Sequence, residues 1–329
     1  MNEQTRLRQY LRFRPEVLDT VASVAEHQRS QTWQDISSHL PEVSIFRSHN
    51  NKPVEVLDIE PYDYDDVLVY HLPMGVTLDA SMSMRLSALS LAEPYKRLIS
   101  FSNPGSPGRG KGKIKTRDML SVYNGDLRLT LDSPLRYLAK QGIEEVVHIG
   151  YSYGAEKAIA AAKYSDLYGQ KVDQTICMEP VAIKDRHLIS LGLDFLKTST
   201  SLDEYVEAAD CKAYDEARKI ADKQGHGTLG YIFGLAKLSN LAIGNCLKRD
   251  IFEANVYEAI KKQQDMQLNI YWGSDSELST DKDMMELFKR LNKFNHKRIH
   301  AEVMAKQKHA MGEDIYLHTA MILQALRRH

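Results

Sequence analysis

The sequence predicts an α/β fold, a mostly parallel sheet covered by helices on both faces. Three observations carry this. Short β-branched runs alternate with helical stretches along most of the chain. A strand-like run, Glu144 to Ile149, meets an alanine-rich stretch, Ala155 to Ala162, across a turn of only five residues, Gly150-Tyr151-Ser152-Tyr153-Gly154. The first two strand-like runs flank Asn50-Asn51, a turn signal that predicts an antiparallel hairpin at one edge.

Taken in order, residues 1 to 40 read as a polar helical extension. Strands are expected at Val43–Arg47 and Val54–Ile59, then at Val67–His71, a central apolar run. Helical periodicity covers Ala80 to Glu93, a strand Arg97 to Phe101, and a helix Leu127 to Lys140. After the alanine-rich helix comes a strand around Gln174 to Met178. Residues 184–265 carry almost no strand signal. Strands resume at Leu268–Trp272 and Arg298–Val303, with a helix near Asp281 to Leu291 between them and a last helix near Ile315 to Arg327. Strand–helix–strand units of this kind connect right-handedly and put helices on both faces. Three units are therefore expected: an extension over 1–40, a core over 41–183 and 266–329, and an inserted helical cap over 184–265.

Composition excludes several functions. A chain of 329 residues with a net charge of -1 argues against a general role in binding nucleic acid or other polyanions. There is no 18-residue apolar run to span a membrane, and the N-terminus has no apolar signal-peptide core. Three cysteines (Cys177, Cys211 and Cys246) are odd in number and lack metal-ligand spacing, which favours a reducing, cytoplasmic setting. The run Arg109 to Arg117 holds five cations in nine residues and reads as a solvated loop, with a contact for an anionic substrate or partner as the alternative. It is not a P-loop, since no Gly-Lys-Ser/Thr leads from strand into helix.

A Gly-x-Ser-x-Gly between strand and helix lifts a serine hydroxyl clear of the sheet on a tight turn. In that context the chain resembles the α/β-hydrolase superfamily, over about residues 43 to 327. The resemblance implies Ser152 as nucleophile and a histidine late in the chain as general base, here His309 between the last strand and the last helix. It implies an acid after the next-to-last strand, where Asp275 follows Gly273-Ser274. The commoner spacing falls one residue later, at Ser276, so Glu277 remains an alternative. Glu179 is another, because some members carry the acid after the preceding strand.

An oxyanion hole needs two backbone N–H groups. The resemblance assigns one to Tyr153 and the other to the loop His71-Leu72-Pro73-Met74-Gly75. Pro73 has no N–H, which leaves Met74, or less favourably Leu72. His71 and Leu72 are candidate pocket residues beside it. Within the cap, Leu229 to Leu238 is strongly apolar, with Gly225-His226-Gly227 before it as a hinge. Phe233 and Leu235 are expected to line an acyl pocket. The expected function is a serine hydrolase of a small-molecule carboxylic ester or related acyl compound, requiring no metal or organic cofactor. An acyltransferase using the same residues and a non-catalytic binding module are the alternatives.

Overall fold

The computed structural model describes residues 40–47, 53–103, 116–209, 211–221, 223, 238–295 and 297–328. The extension over 1–39, the Asn50-Asn51 turn, the cationic run up to Lys115, the Gly225-His226-Gly227 hinge, Phe233 and Leu235 lie outside them.

Among the described residues, eight strands form one sheet: β1 (Val43–Arg47), β2 (Pro53–Ile59), β3 (Asp66–His71), β4 (Lys96–Phe101), β5 (Glu145–Tyr151), β6 (Lys171–Met178), β7 (Gln267–Gly273) and β8 (Ile299–Met304). Their spatial order is β1-β2-β4-β3-β5-β6-β7-β8. β1 pairs antiparallel with β2, and β2 with β4; every other neighbouring pair is parallel. The hairpin register, Val43 opposite Leu57 through Arg47 opposite Pro53, places the antiparallel edge where the sequence puts it.

Eleven helices are described: α1 (Ala80–Ala92), α2 (Thr116–Tyr123), α3 (Arg128–Lys140), α4 (Tyr153–Tyr164), α5 (Leu188–Thr200), α6 (Leu202–Ala209), α7 (Lys212–Ala221), α8 (Leu238–Leu247), α9 (Phe252–Lys262), α10 (Asp281–Asn295) and α11 (Ile315–Leu326). Side chains alternate across each strand, so β3 sends Val67 and Val69 to one face and Leu68 and Tyr70 to the other. The first face packs against α3, α4, α9 and α10 through residues such as Leu135, Ile159, Val256 and Leu287. The second packs against α1 and α11 through Leu86, Leu89, Met321 and Ile322. A sheet buried on both faces needs the near-continuous apolar strands seen in β3 to β7.

The described helices between residues 184 and 265 do not pack as one unit. α9 packs Phe252, Val256 and Ala259 into the same core as α4. α6 and α7 instead join α1 and α11 in a separate cluster containing Val206, Tyr214 and Ala217. α2 was not expected from sequence, because its eight residues carry only two buried positions, Asp118 and Val122.

Candidate active site

Ser152 sits between the end of β5 and the start of α4 with φ 55° and ψ -128°. A non-glycine residue at that φ is strained, and the surroundings must hold it there. They do. Ser152 N–H donates to the Met178 carbonyl at 2.9 Å, tying the turn to the end of β6. The flanking glycines allow the backbone to fold this tightly. A Cβ on Gly150 would lie 1.9 Å from the Gly154 carbonyl oxygen, and one on Gly154 would lie 2.0 Å from the His71 carbonyl oxygen. Glycine at both positions is therefore a steric requirement.

His309 opens a short 3₁₀ turn after β8, and its ring is buried. Its Nε2 lies 3.0 Å from Ser152 Oγ. Its Nδ1 lies 2.9 Å from Glu179 Oε2. With the carboxylate ionised, Nδ1–H donates to Glu179, which leaves Nε2 to accept the Ser152 hydroxyl. The Tyr151 ring stacks on His309 at 5.6 Å, and its hydroxyl donates to the His309 carbonyl.

The carboxylate against His309 is Glu179, not Asp275. Glu179 is the first residue after β6, has φ 53° and is fully buried. Gly273 N–H donates to its Oε1 at 2.5 Å, and Ser276 Oγ–H donates to its Oε2 at 2.7 Å. These bonds fix the position of both oxygens. Asp275 is exposed, and its carboxylate accepts from Ser274 Oγ at 2.8 Å. The turn after β7 aims Ser276 inward and Asp275 outward, so the position where an acid is commoner carries a hydroxyl that supports Glu179. Glu277 is half-buried, and its Oε2 has no hydrogen-bond partner among the described residues.

No family model matches the chain, and no curated protein matches it. Solved structures do. An esterase of Pyrococcus furiosus superposes with a TM-score of 0.53 at 15% identity, covering 89% of this chain and 94% of that one. An α/β-hydrolase enzyme from a Medee basin deep-sea metagenome superposes with a TM-score of 0.56 at 15% identity, covering 86% and 97%. A thioesterase domain from the curacin biosynthetic pathway gives 0.52 at 12% identity, covering 86% and 99%. The chain has the α/β-hydrolase fold.

In this α/β-hydrolase fold, Ser152 and His309 open into a pocket lined also by Met74, Phe195, Leu202 and Tyr214. α5, α6 and α7 thus supply part of its wall. A buried polar group stands in the same wall: Arg85 Nη2 donates to Tyr214 Oη at 2.5 Å and to Glu313 Oε2 at 2.6 Å. Neither Arg85 nor Glu313 was expected from sequence: Arg85 lies inside α1, where a charge ordinarily reads as the solvent face, and Glu313 ends the 3₁₀ turn that His309 opens.

His71 and Leu72 do not line this pocket; both are buried behind it. His71 Nε2 lies 3.2 Å from His148 Nδ1, and His148 Nε2 lies 3.1 Å from Ser165 Oγ. Ser165 Oγ–H is spent on the Ala161 carbonyl. It therefore accepts from His148 Nε2–H, and His148 Nδ1 accepts from His71 Nε2–H. Burial, then the neighbouring His148, holds His71 well below the usual imidazole value, so this pair is uncharged. Tyr153 is the first residue of α4, where a backbone N–H has no intrahelical acceptor. The Met74 N–H likewise has no hydrogen-bond partner among the described residues.

Among the described residues, no group of three or more His, Cys, Asp or Glu side chains could hold a metal ion, and no helix is long and apolar enough to cross a membrane.

Proposed function

We propose that this protein is a serine hydrolase acting on a carboxylic ester or related small-molecule acyl compound. The observation that carries the reading is the unbroken hydrogen-bonded series Ser152–His309–Glu179, at 3.0 and 2.9 Å, built on a strained elbow that opens into a pocket.

Ser152 Oγ attacks the acyl carbon while His309 Nε2 takes its proton. The imidazolium that forms donates from Nδ1 to Glu179, whose negative charge stabilises it. The negative charge arising on the acyl oxygen is met by the N–H groups of Tyr153 and Met74. His309 then returns the proton to the departing alkoxide or thiolate, which leaves an acyl-enzyme. Water attacks the acyl carbon with His309 again as base, and the carboxylic acid departs as Ser152 regains its proton.

The neighbouring solved structures include an esterase and a thioesterase domain, which supports hydrolysis of an acyl compound at the level of the fold. A binding module would have no use for a buried carboxylate aligned on a histidine aligned on a strained serine. Release of free acid from a panel of short- and long-chain acyl esters and thioesters tests the proposal. Turnover by the wild type and none by Ser152→Ala is expected. Equal turnover by both would overturn it.

A further inference from the structure

We propose that Asn103 and Lys157 form a buried clamp that aims the Met74 N–H at the developing oxyanion, both acting as positioning residues. This rests on the assignment of Met74 as an oxyanion donor in the proposed function.

Within the loop after β3 the Pro73 carbonyl accepts from the Val76 N–H at 3.4 Å, and among the described residues the Asn103 side chain holds the loop from behind. Asn103, just past the end of β4 and buried, donates from Nδ2 to the Pro73 carbonyl at 2.7 Å and to the Leu72 carbonyl at 3.3 Å. The Pro73 carbonyl and the Met74 N–H belong to one planar peptide unit, and no described peptide bond is cis. In a trans unit the two groups point in opposite directions. Fixing the carbonyl toward Asn103 therefore fixes the N–H away from it. Met74 lines the pocket that Ser152 opens into.

The Asn103 amide is itself oriented. Lys157 Nζ donates to Asn103 Oδ1 at 2.7 Å. The Leu72 and Pro73 carbonyls can only accept, so the NH₂ must face them and the oxygen must face Lys157, whose Nζ donates to it. Lys157 lies on α4, five positions after Ser152, and its side chain is fully buried. The same helix touches the same loop through Gly154 and the His71 carbonyl. Nucleophile and oxyanion loop are thus referenced to one helix. The amine has no carboxylate partner among the described residues, and burial pushes its pKa down to about 7. Holding it there is costly for stability, and the geometry points to the loop as the beneficiary.

Asn103→Asp separates the clamp from mere packing. The carboxylate is isosteric and still accepts from Lys157, but it has no N–H for the Pro73 and Leu72 carbonyls. Removing an oxyanion donor outright costs about 10²–10³ in kcat, so misaiming one is expected to lower kcat by about 10- to 100-fold. KM should stay within about threefold, with an unchanged circular dichroism spectrum. Lys157→Met should lower kcat by about tenfold, and Lys157→Arg should recover part of that loss. Wild-type kcat in a folded Asn103→Asp variant overturns the clamp. If that variant does not fold, the lysine pair decides: equal kcat in Lys157→Met and Lys157→Arg overturns it. Labelling of Ser152 by a fluorophosphonate in the wild type tests the underlying assignment separately. An unlabelled wild type sinks the serine-hydrolase reading itself, whereas a labelled wild type with an indifferent Asn103→Asp sinks only the clamp.

Discussion

Ser276 Oγ donates to Glu179 Oε2 at 2.7 Å, the same oxygen that faces His309 Nδ1 at 2.9 Å. The hydroxyl comes from the turn after β7 and the carboxylate from the end of β6, so the two turns close on one another over the histidine. Hydrogen bonds to an acid that orients a histidine hold its geometry. Ser276→Ala should lower kcat by about tenfold with KM near the wild-type value, as expected when positioning is loosened but binding is kept. An unchanged kcat would show that Gly273 N–H alone holds the carboxylate.

The elbow gives a prediction about folding. An added methyl on Gly154 would meet the His71 carbonyl oxygen at 2.0 Å, and backbone on both sides of the contact leaves nothing to swing away. Gly154→Ala should destabilise the protein by at least about 2 kcal/mol. Urea unfolding measures it; a midpoint within error of wild type would mean that the turn can relax.

Two adjacent buried charges on α4 give stability an unusual dependence on pH. Burial pushes the Glu156 carboxyl up from 4.5 to about 7. It pushes Lys157 down from 10.5 to about 7. Folded Glu156 holds its proton more tightly than the unfolded chain does. Its contribution is full below pH 4.5 and is lost as pH rises to about 7. Folded Lys157 holds its proton less tightly, so its contribution is full above pH 10.5 and is lost as pH falls to about 7. The two slopes meet near neutrality. Glu156→Gln should flatten the acid limb of a stability profile and Lys157→Met the alkaline limb, read from urea midpoints at stepped pH. A wild-type profile in either variant would contradict the assigned burial cost.

Glu156 also has a structural task. Its Oε1 accepts from Val181 N–H at 2.6 Å and Ala182 N–H at 2.7 Å, just beyond Glu179. Glu156→Gln keeps the volume but can bring only its carbonyl oxygen to the two donors, so a loss of kcat of no more than about tenfold is expected. A loss of a thousandfold would mean that the charge of Glu156 acts in the reaction.

The mostly parallel sheet with its antiparallel edge was legible in alternating strand and helix signals and an opening turn, and the meeting of Ser152 with His309 in a family resemblance carried by a strand, a two-glycine turn, an alanine-rich helix, and a histidine between the last strand and the last helix. The acid was not legible in the same way. Glu179 and Asp275 each follow a parallel strand, and both strands end on the same side of the sheet, so order along the chain cannot choose between them. The choice is made by a turn that faces Ser276 inward. Lys157 was missed for a different reason. A lysine is ordinarily a solvent-facing residue, but α4 is almost wholly buried, and its run of alanines between two parallel strands is the signal that Glu156 and Lys157 are buried with it. Met74 reads differently in sequence and in space only through Asn103, whose contact with Pro73 spans 30 positions.

The rate at which a fluorophosphonate forms an adduct, followed by intact mass, tests the central relationship of Ser152, His309 and Glu179 most directly. Wild type, Ser152→Ala, Glu179→Ala and Asp275→Asn should be compared at one pH. Loss of the acid of such a unit costs about 10⁴ in kcat, so Glu179→Ala should label at least about a hundredfold more slowly than wild type. Asp275→Asn should label at the wild-type rate, and Ser152→Ala should not label. Slow labelling of Asp275→Asn beside a wild-type rate for Glu179→Ala would contradict the account.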